Sequence, residues 1–219
     1  SHRAIARVYA RFAAYRTQFL VLEFCQGTTL NTILSAHAPL DEGTVRKIVG
    51  QLADSLHYVH DHGVVHRDLK PSNVMLSESG QLKLLDFGIA IVARRASAGI
   101  GSNETTIATA GSLQYFGTPQ YMAPEQFGSE DVDHRADWYG LACIAYEALT
   151  GRPIVEASDL FAMIRERQEF VLPPPSQLGL GVSAEMYDFL VNALKMNRDE
   201  RTADLRQLAK WAAPVFVPR

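Results

Sequence analysis

A short run in the first half of the chain collects side chains whose types and spacing could do chemistry. It reads His66-Arg67-Asp68-Leu69-Lys70-Pro71-Ser72-Asn73, and Asp86-Phe87-Gly88 follows it. A carboxylate, an ammonium and an amide at such fixed spacing are not what an ordinary packing segment presents. Carboxylate and amide oxygens are the hard ligands that suit Mg²⁺. Two short strand-like runs separate Asp68 from Asp86, and this topology returns the second carboxylate beside the first.

The elements that must position these residues are predicted from periodicity. Strand-like runs over 6–12 and 18–24 precede a short helix over 30–36. The next helix carries apolar residues on one face at helical spacing, with Asp41 as its N-cap and Gly63 just beyond its end. Short β-branched runs then lie at 64–65, 74–76 and 82–85.

The second half of the chain begins with an irregular segment and ends in helices. From 89 to 121 the sequence is rich in Ser, Thr, Ala and Gly, and a loop of such length is usually functional or disordered. Four helices are predicted beyond it, over 138–150, 159–168, 184–195 and 203–213. Ser158, Ser183 and Thr202 are the predicted N-caps of the last three.

These motifs resemble those of protein kinases. The run at 66–73 resembles the kinase catalytic loop H-R-D-L-K-P-x-N, and 86–88 resembles the metal-binding D-F-G. The segment Gly117-Thr118-Pro119-Gln120-Tyr121-Met122-Ala123-Pro124-Glu125 resembles the substrate-docking segment that closes the activation loop. The resemblance extends over about residues 7–211. The motif sequences look similar to those of bacterial members of the family. The resemblance implies a mainly α fold, the kinase C-lobe, a helical bundle with short β-hairpins, plus a two-strand remnant of the N-lobe.

The resemblance implies a role for each matching residue. Asp68 would be the catalytic base that takes or orients the proton of the substrate hydroxyl. Lys70 would help hold the γ-phosphate of ATP, as in kinases specific for serine and threonine, and Thr118 would hydrogen-bond Asp68 and Lys70. Asn73 and Asp86 would be the Mg²⁺ ligands. The implied activity is therefore transfer of the γ-phosphate of ATP to Ser or Thr of a protein substrate, rather than to Tyr.

Nucleotide contacts are implied as well. Glu23-Phe24-Cys25 resembles the hinge between kinase lobes, with Leu22 as gatekeeper. Backbone groups of Glu23 and Cys25 would meet the adenine edge, and Met75 would lie under the adenine ring. For Met75 alone, plain core packing would be the default interpretation. The implied cofactors are ATP and Mg²⁺. The implied domain limits are 1–27 for the N-lobe strands and hinge, 28–213 for the C-lobe and 214–219 for a tail.

Other matches imply bracing and regulation. Glu125 and Arg201 match a buried ion pair of the large lobe, and Asp137 matches a helix-start aspartate that holds the catalytic-loop backbone. His66 and Phe87 match packing residues behind the site. Arg67 would pair with a phosphate on the activation loop, which contains Ser97, Ser102, Thr105, Thr106, Thr109 and Ser112. At least one of these is expected to be phosphorylated, and dimerisation for that purpose is left open.

The departure from the family pattern concerns the N-lobe. The first 26 residues contain no glycine and no lysine precedes Lys47, so the glycine-rich loop, the strand lysine and its partner glutamate have no counterpart. The preferred interpretation is the larger part of a normal kinase domain, with residues 1–219 alone nearly inactive. One alternative is a truncated pseudokinase acting as a binding or scaffold module. A kinase of small molecules such as aminoglycosides is disfavoured by the peptide-docking segment.

Composition and short sequence patterns disfavour several other classes of protein. A net charge of −3 and a pI near 6.2 do not favour nucleic-acid binding, and no apolar stretch is long enough to span a membrane. Two cysteines make no disulfide framework and indicate a reducing, cytoplasmic setting. The arginine-rich stretch 1–16 mimics a transit peptide, although its alternation favours a strand. His57, His60 and His62 could be imagined as a metal site, but no Cys lies near.

Overall fold

The computed structural model describes residues 2–15, 17–86, 119–128, 132–179 and 181–216. Strands β1 to β5 span Val8–Ala14, Thr17–Leu22, Thr28–Thr29, Val74–Leu76 and Leu82–Leu84. Helices α1 to α6 span Leu30–His37, Glu42–Asp61, Arg135–Thr150, Leu160–Glu169, Ala184–Ala193 and Leu205–Ala209. Short 3-10 helices cover Pro71–Asn73, Pro119–Tyr121, Pro124–Phe127, Pro175–Gln177 and Arg198–Glu200.

The core is built around α2 and α3. The apolar stripe predicted for α2 is buried and consists of Val45, Ile48, Val49, Leu52, Leu56 and Val59. Helix α3 is buried on most of its faces, as expected for a helix at the centre of a bundle. Helices α3 and α6 both pack on α2, and α5 packs on α3. The mainly α architecture is therefore confirmed.

Two small antiparallel sheets accompany the helices. Strands β1 and β2 form a hairpin in which Phe12 pairs with Phe19, and the two rings stack with centroids 5.2 Å apart. Strands β3, β4 and β5 form the other sheet in that order. Val74 and Leu84 face each other across β4 and β5 and are buried in the core. The side chains of β1, by contrast, are largely exposed.

Helix ends follow local hydrogen-bonding chemistry, with two differences from the predicted caps. Asp41 caps α2 and Ser183 caps α5, as predicted. Helix α4 begins after Asp159 rather than Ser158, and α6 begins after Asp204 rather than Thr202, because these carboxylates accept the free N–H groups of the first turn. The β-branched pair at 64–65 forms no strand. Within the described ranges, no helix is long and apolar enough to cross a membrane.

Candidate active site

The catalytic-loop residues predicted from sequence lie together. The Lys70 ammonium is 2.9 Å from an Asp68 carboxylate oxygen. The Asn73 side-chain amide donates to the Asp68 carbonyl at 2.9 Å and to its carboxylate at 3.0 Å. A 3-10 turn beginning at Pro71 brings Asn73 back to Asp68, since Pro suits the first position of such a turn. The structure thus joins the carboxylate, the ammonium and the amide in one hydrogen-bonded group.

Asp86 follows the end of β5, next to this group. The Leu85 N–H donates to the Asn73 carbonyl at 2.8 Å, and the Leu85 carbonyl lies 2.9 Å from His66 Nε2. The Asp86 carboxylate is exposed, and its backbone is in the left-handed region with a φ of 53°. The backbone bond from Leu85 places Asn73 next to the strand end that bears Asp86. An amide oxygen and a carboxylate are the kind of ligands that fit Mg²⁺, whose shell phosphate oxygens would complete.

The backbone of the catalytic loop is held from α3. The two carboxylate oxygens of Asp137 accept the backbone N–H groups of His66 and Arg67, each at 2.8 Å. His60 Nε2 lies 2.7 Å from the same carboxylate. Asp137 is nearly fully buried, so its charge is balanced by these hydrogen bonds rather than by water. The predicted bracing role of Asp137 agrees with this geometry.

A second brace lies behind the docking segment. Arg201 donates to Glu125 through both terminal nitrogens, at 2.7 and 2.8 Å, and both side chains are buried. Arg201 also donates to the carbonyls of Lys195 and Met196. A bidentate pair with its remaining donors satisfied is the geometry in which a buried ion pair is tolerated. The pairing predicted from sequence is confirmed.

The residues predicted to bind adenine lie on two neighbouring pieces of sheet. Leu22 ends β2 and is partly exposed, and Cys25 follows it, with its thiol 3.7 Å from the Glu23 carbonyl. Met75 is the cross-strand partner of Lys83, so both side chains project from the same face. The Lys83 ammonium forms an ion pair with the Glu23 carboxylate. The hinge is thereby joined to the face that carries Met75.

The ion pair with Lys83 favours the ionised form of Glu23 in the predicted hinge segment. The hydrogen bond from Lys83, aided by the Arg7 N–H at 3.1 Å, lowers the pKa of Glu23. Partial burial, reinforced by the Glu23 charge, raises the pKa of the Cys25 thiol. Deep burial raises the pKa of Cys143 to about 12. Both thiols are therefore protonated near neutral pH, and the prediction that Cys25 is inert is consistent with its surroundings.

Two side chains that hold the docking segment were missed by sequence reasoning. Arg167 on α4 is buried and donates to the carbonyls of Pro119 and Gln120, at 2.8 and 3.2 Å. Gln126 donates to the Arg67 carbonyl at 2.7 Å and accepts the Ala123 N–H at 2.8 Å. Gln126 ends the run Met122 to Gln126 whose wording is similar to bacterial kinases, but the sequence does not reveal its contact with Arg67, and Arg167 belongs to no short motif.

Several predicted residues lie outside the described part of the chain. Thr118, Phe87 and the six hydroxyl residues of the activation loop belong to the range 87–118. Within the described residues, one Arg67 terminal nitrogen donates to the Val132 carbonyl at 3.0 Å. The role of Arg67 in binding a phosphate therefore stays a prediction.

The three histidines contact different partners. His57 lies 3.0 Å from the Arg206 Nε donor, His60 contacts Asp137, and His62 lies 2.7 Å from the Tyr58 carbonyl. Across the described ranges, no group of three or more His, Cys, Asp or Glu side chains could hold a metal ion. A Mg²⁺ site built from Asn73, Asp86 and substrate phosphates would not be such a group.

Several known proteins are similar in sequence to this chain. The chain is similar to serine/threonine-protein kinase PknB of Mycolicibacterium smegmatis, with 33% identity over 98% of this chain and 35% of the relative. It is also 33% identical to PknB of Mycobacterium tuberculosis, over 92% of this chain and 31% of that protein. Serine/threonine-protein kinase Pkn1 of Myxococcus xanthus is 35% identical over 93% of this chain and 28% of its own length.

The chain thus spans about a third of the length of these curated relatives. These relatives come from bacteria, which agrees with the similarity of the motif sequences to bacterial kinases. The family model described as protein kinase domain matches residues 1–211, nearly the whole chain, and this chain therefore belongs to the protein kinase family.

Proposed function

We propose that this chain is the catalytic lobe of a protein serine/threonine kinase, which transfers the γ-phosphate of ATP to Ser and Thr hydroxyls of proteins. The observation that carries the proposal is the hydrogen-bonded group of Asp68, Lys70 and Asn73, beside the strand end that bears Asp86. Phosphoryl transfer asks a protein mainly for positioning and for neutralisation of charge. Within residues 68–73, this group offers a proton acceptor, a cation and a metal-ligand oxygen.

Asp68 acts on the attacking hydroxyl. As the hydroxyl oxygen bonds to the γ-phosphorus and the bond to the ADP oxygen breaks, the hydroxyl proton passes to the Asp68 carboxylate. Asn73 orients that carboxylate through its amide, and Lys70 supplies a positive charge where the transferred group gains negative charge. Mg²⁺, held by Asn73 and Asp86, would neutralise the phosphates.

The nucleotide would lie along the hinge. Backbone groups of Glu23 and Cys25 would meet the adenine edge, Leu22 would border the pocket, and Met75 would contact the ring from the C-lobe side. The ion pair between Lys83 and Glu23 supports this assignment, because it ties Glu23 to the cross-strand partner of Met75. We accordingly assign 1–27 to the N-lobe strands and hinge, 28–213 to the C-lobe and 214–219 to a tail.

Substrate class is the finer part of the proposal. Lys70 supports Ser and Thr over Tyr, with Thr118 as its partner near Asp68. The docking segment is tied into the lobe by Arg167 and by the pair of Glu125 and Arg201, an arrangement that suits a peptide more than a small molecule. A small-molecule kinase would have no use for such a loop.

The substrate class is tested with the whole natural protein and radiolabelled ATP. A generic Ser/Thr peptide, a Tyr peptide of equal charge and an aminoglycoside are offered in parallel, with Mg²⁺ present. We expect incorporation into the Ser/Thr peptide alone, and its loss when EDTA removes the metal. Transfer to the aminoglycoside or to Tyr would contradict the assigned substrate. Nucleotide binding without transfer to any of the three would favour the pseudokinase alternative.

Phosphorylation of the activation loop would regulate this site. Arg67 directly precedes Asp68, and a phosphate bound by its guanidinium would act on the backbone that carries the catalytic carboxylate. A second copy of the kinase is the proposed source of that phosphate, so dimerisation would accompany activation. Phosphopeptide mapping of active protein should find a modified Ser or Thr within 97–112, and an unmodified loop in active protein would contradict this regulation.

A further inference from the structure

The backbone of Arg67 is held at its N–H and at its carbonyl by side chains from distant parts of the chain. Arg67 has a φ of 64°, a left-handed conformation that is uncommon for any residue other than glycine. Such a conformation persists only where the surroundings enforce it. Asp137 accepts the Arg67 N–H and so holds the peptide unit that precedes the Cα of this residue.

Gln126 holds the peptide unit that follows the Cα of Arg67. Its side-chain amide donates to the Arg67 carbonyl at 2.7 Å. Because a peptide unit is planar, this carbonyl and the N–H of Asp68 belong to one rigid plane. The N–H end of the plane meets His66 Nδ1 at 3.3 Å, a longer and weaker hydrogen bond. The shorter bond, from Gln126, therefore contributes more to the orientation of the plane that carries Asp68.

Gln126 is itself anchored in the docking segment. Its side-chain oxygen accepts the Ala123 N–H at 2.8 Å, so one amide group bridges Ala123 and Arg67. Its neighbour Glu125 is locked by the buried pair with Arg201. The Gln126 amide thus links the docking segment, through Ala123, to the predicted catalytic loop, through Arg67.

We infer that Gln126 is a positioning residue for phosphoryl transfer, which orients the peptide plane of Asp68 and couples that plane to the docking segment. This inference rests on the proposed kinase function. A side chain in this role needs both an N–H donor and an oxygen acceptor at the same end. Gln126→Glu keeps the size and the acceptor but removes the donor, and Gln126→Met removes both.

The test uses the whole natural protein with ATP and a Ser/Thr peptide. For Gln126→Glu we expect kcat to fall by about 10- to 100-fold, the scale of a small misplacement of a catalytic group. The KM for ATP should change by less than about twofold, because the hinge is untouched. Gln177→Glu, the same change at an exposed position, is the matched control and should leave kcat unchanged.

Hydrogen exchange separates this inference from the proposed function. Amides within 66–70 should exchange faster in Gln126→Glu and Gln126→Met than in the unmodified protein, whether or not transfer occurs. Unchanged kcat in Gln126→Glu, or unchanged exchange in 66–70, would overturn the positioning role. An unmodified protein that transfers no phosphate would instead overturn the proposed function, and exchange alone would then decide whether Gln126 holds the loop.

Discussion

The Asp137 carboxylate accepts the backbone N–H of Arg67 at 2.8 Å although the two residues lie 70 positions apart. This bond connects the most buried helix of the lobe to a backbone in a left-handed conformation. The backbone that leads into Asp68, the next residue, is thus held in part from the core. Helix α3 contributes to the rigidity that the proposed catalytic carboxylate needs.

Replacing Asp137 by Asn should weaken both folding and activity. An amide offers only one oxygen, so one of the N–H groups of His66 and Arg67 would lose its acceptor in a buried place. We expect a loss of about 1–3 kcal/mol in the free energy of unfolding. Urea titration measures the loss, and peptide phosphorylation by the whole protein should fall with it. Asp61→Asn, the same exchange at an exposed helix end, should change neither. Equal behaviour of the two variants would contradict the bracing role of Asp137.

Removing Arg201 should be far more damaging than removing a surface charge. Arg201→Met leaves the buried Glu125 carboxylate without its partner, which costs about 3–5 kcal/mol in comparable buried pairs. Lys195→Met breaks the exposed pair with Glu200, which is worth about 1 kcal/mol or less. Unfolding of both variants in urea gives the comparison. A loss for Arg201→Met no larger than that for Lys195→Met would contradict the predicted cost of unpairing Glu125.

The N-cap of α2 should contribute a pH-dependent stability. Hydrogen bonds from the Thr44 hydroxyl and N–H lower the pKa of Asp41 in the folded state below 3.8. This stabilisation is fully present above the unfolded pKa and is lost as pH falls through the lower folded pKa. Asp41→Ala should cost about 1 kcal/mol at pH 7, whereas Asp41→Asn, which also caps, should cost little.

Urea unfolding between pH 7 and pH 3 checks this cap. The gap between unmodified protein and Asp41→Asn should change only below about pH 4, since an amide does not titrate. A gap between these two proteins that changes mainly above pH 5 would show that Asp41 is not the group responsible.

The two thiols should differ sharply in reactivity with iodoacetamide. With a pKa of about 12 rather than 9.0, Cys143 has roughly a thousandth of the thiolate of an ordinary cysteine at pH 8, and it is also inaccessible. Cys25 is partly exposed and should react slowly, because its pKa is raised by burial. Mass spectrometry of native protein should show alkylated Cys25 first and alkylated Cys143 only after unfolding. Labelling of Cys143 at the rate of Cys25 would contradict the buried placement of α3.

Local sequence predicted most of the helices and strands, and the closeness of Asp68 to Asn73, because these depend on short-range patterns. The apolar stripe of α2 and the turn from Asp68 to Asn73 are set by neighbours within a few residues. The N-caps of α4 and α6 were wrong by one or two positions, because each true cap, Asp159 or Asp204, lies just after another residue type that also caps. Local propensity cannot choose between two acceptors only one or two positions apart.

Two contacts between distant segments were missed by sequence reasoning. Gln126 lies 59 positions from Arg67, and Lys83 lies 60 positions from Glu23. A polar side chain with a distant partner has no periodicity of its own, so its partner is fixed only by packing. Glu125 and Arg201 were found only because they match a known family pattern.

The most direct test of the account is the Asp68→Asn variant of the whole natural protein. Peptide phosphorylation and ATP binding are measured on the same preparation, with unmodified protein beside it. If Asp68 accepts the substrate proton, kcat should fall by about 100-fold or more, while the dissociation constant of ATP changes little. Near-normal transfer by Asp68→Asn would contradict the proposed mechanism at its centre.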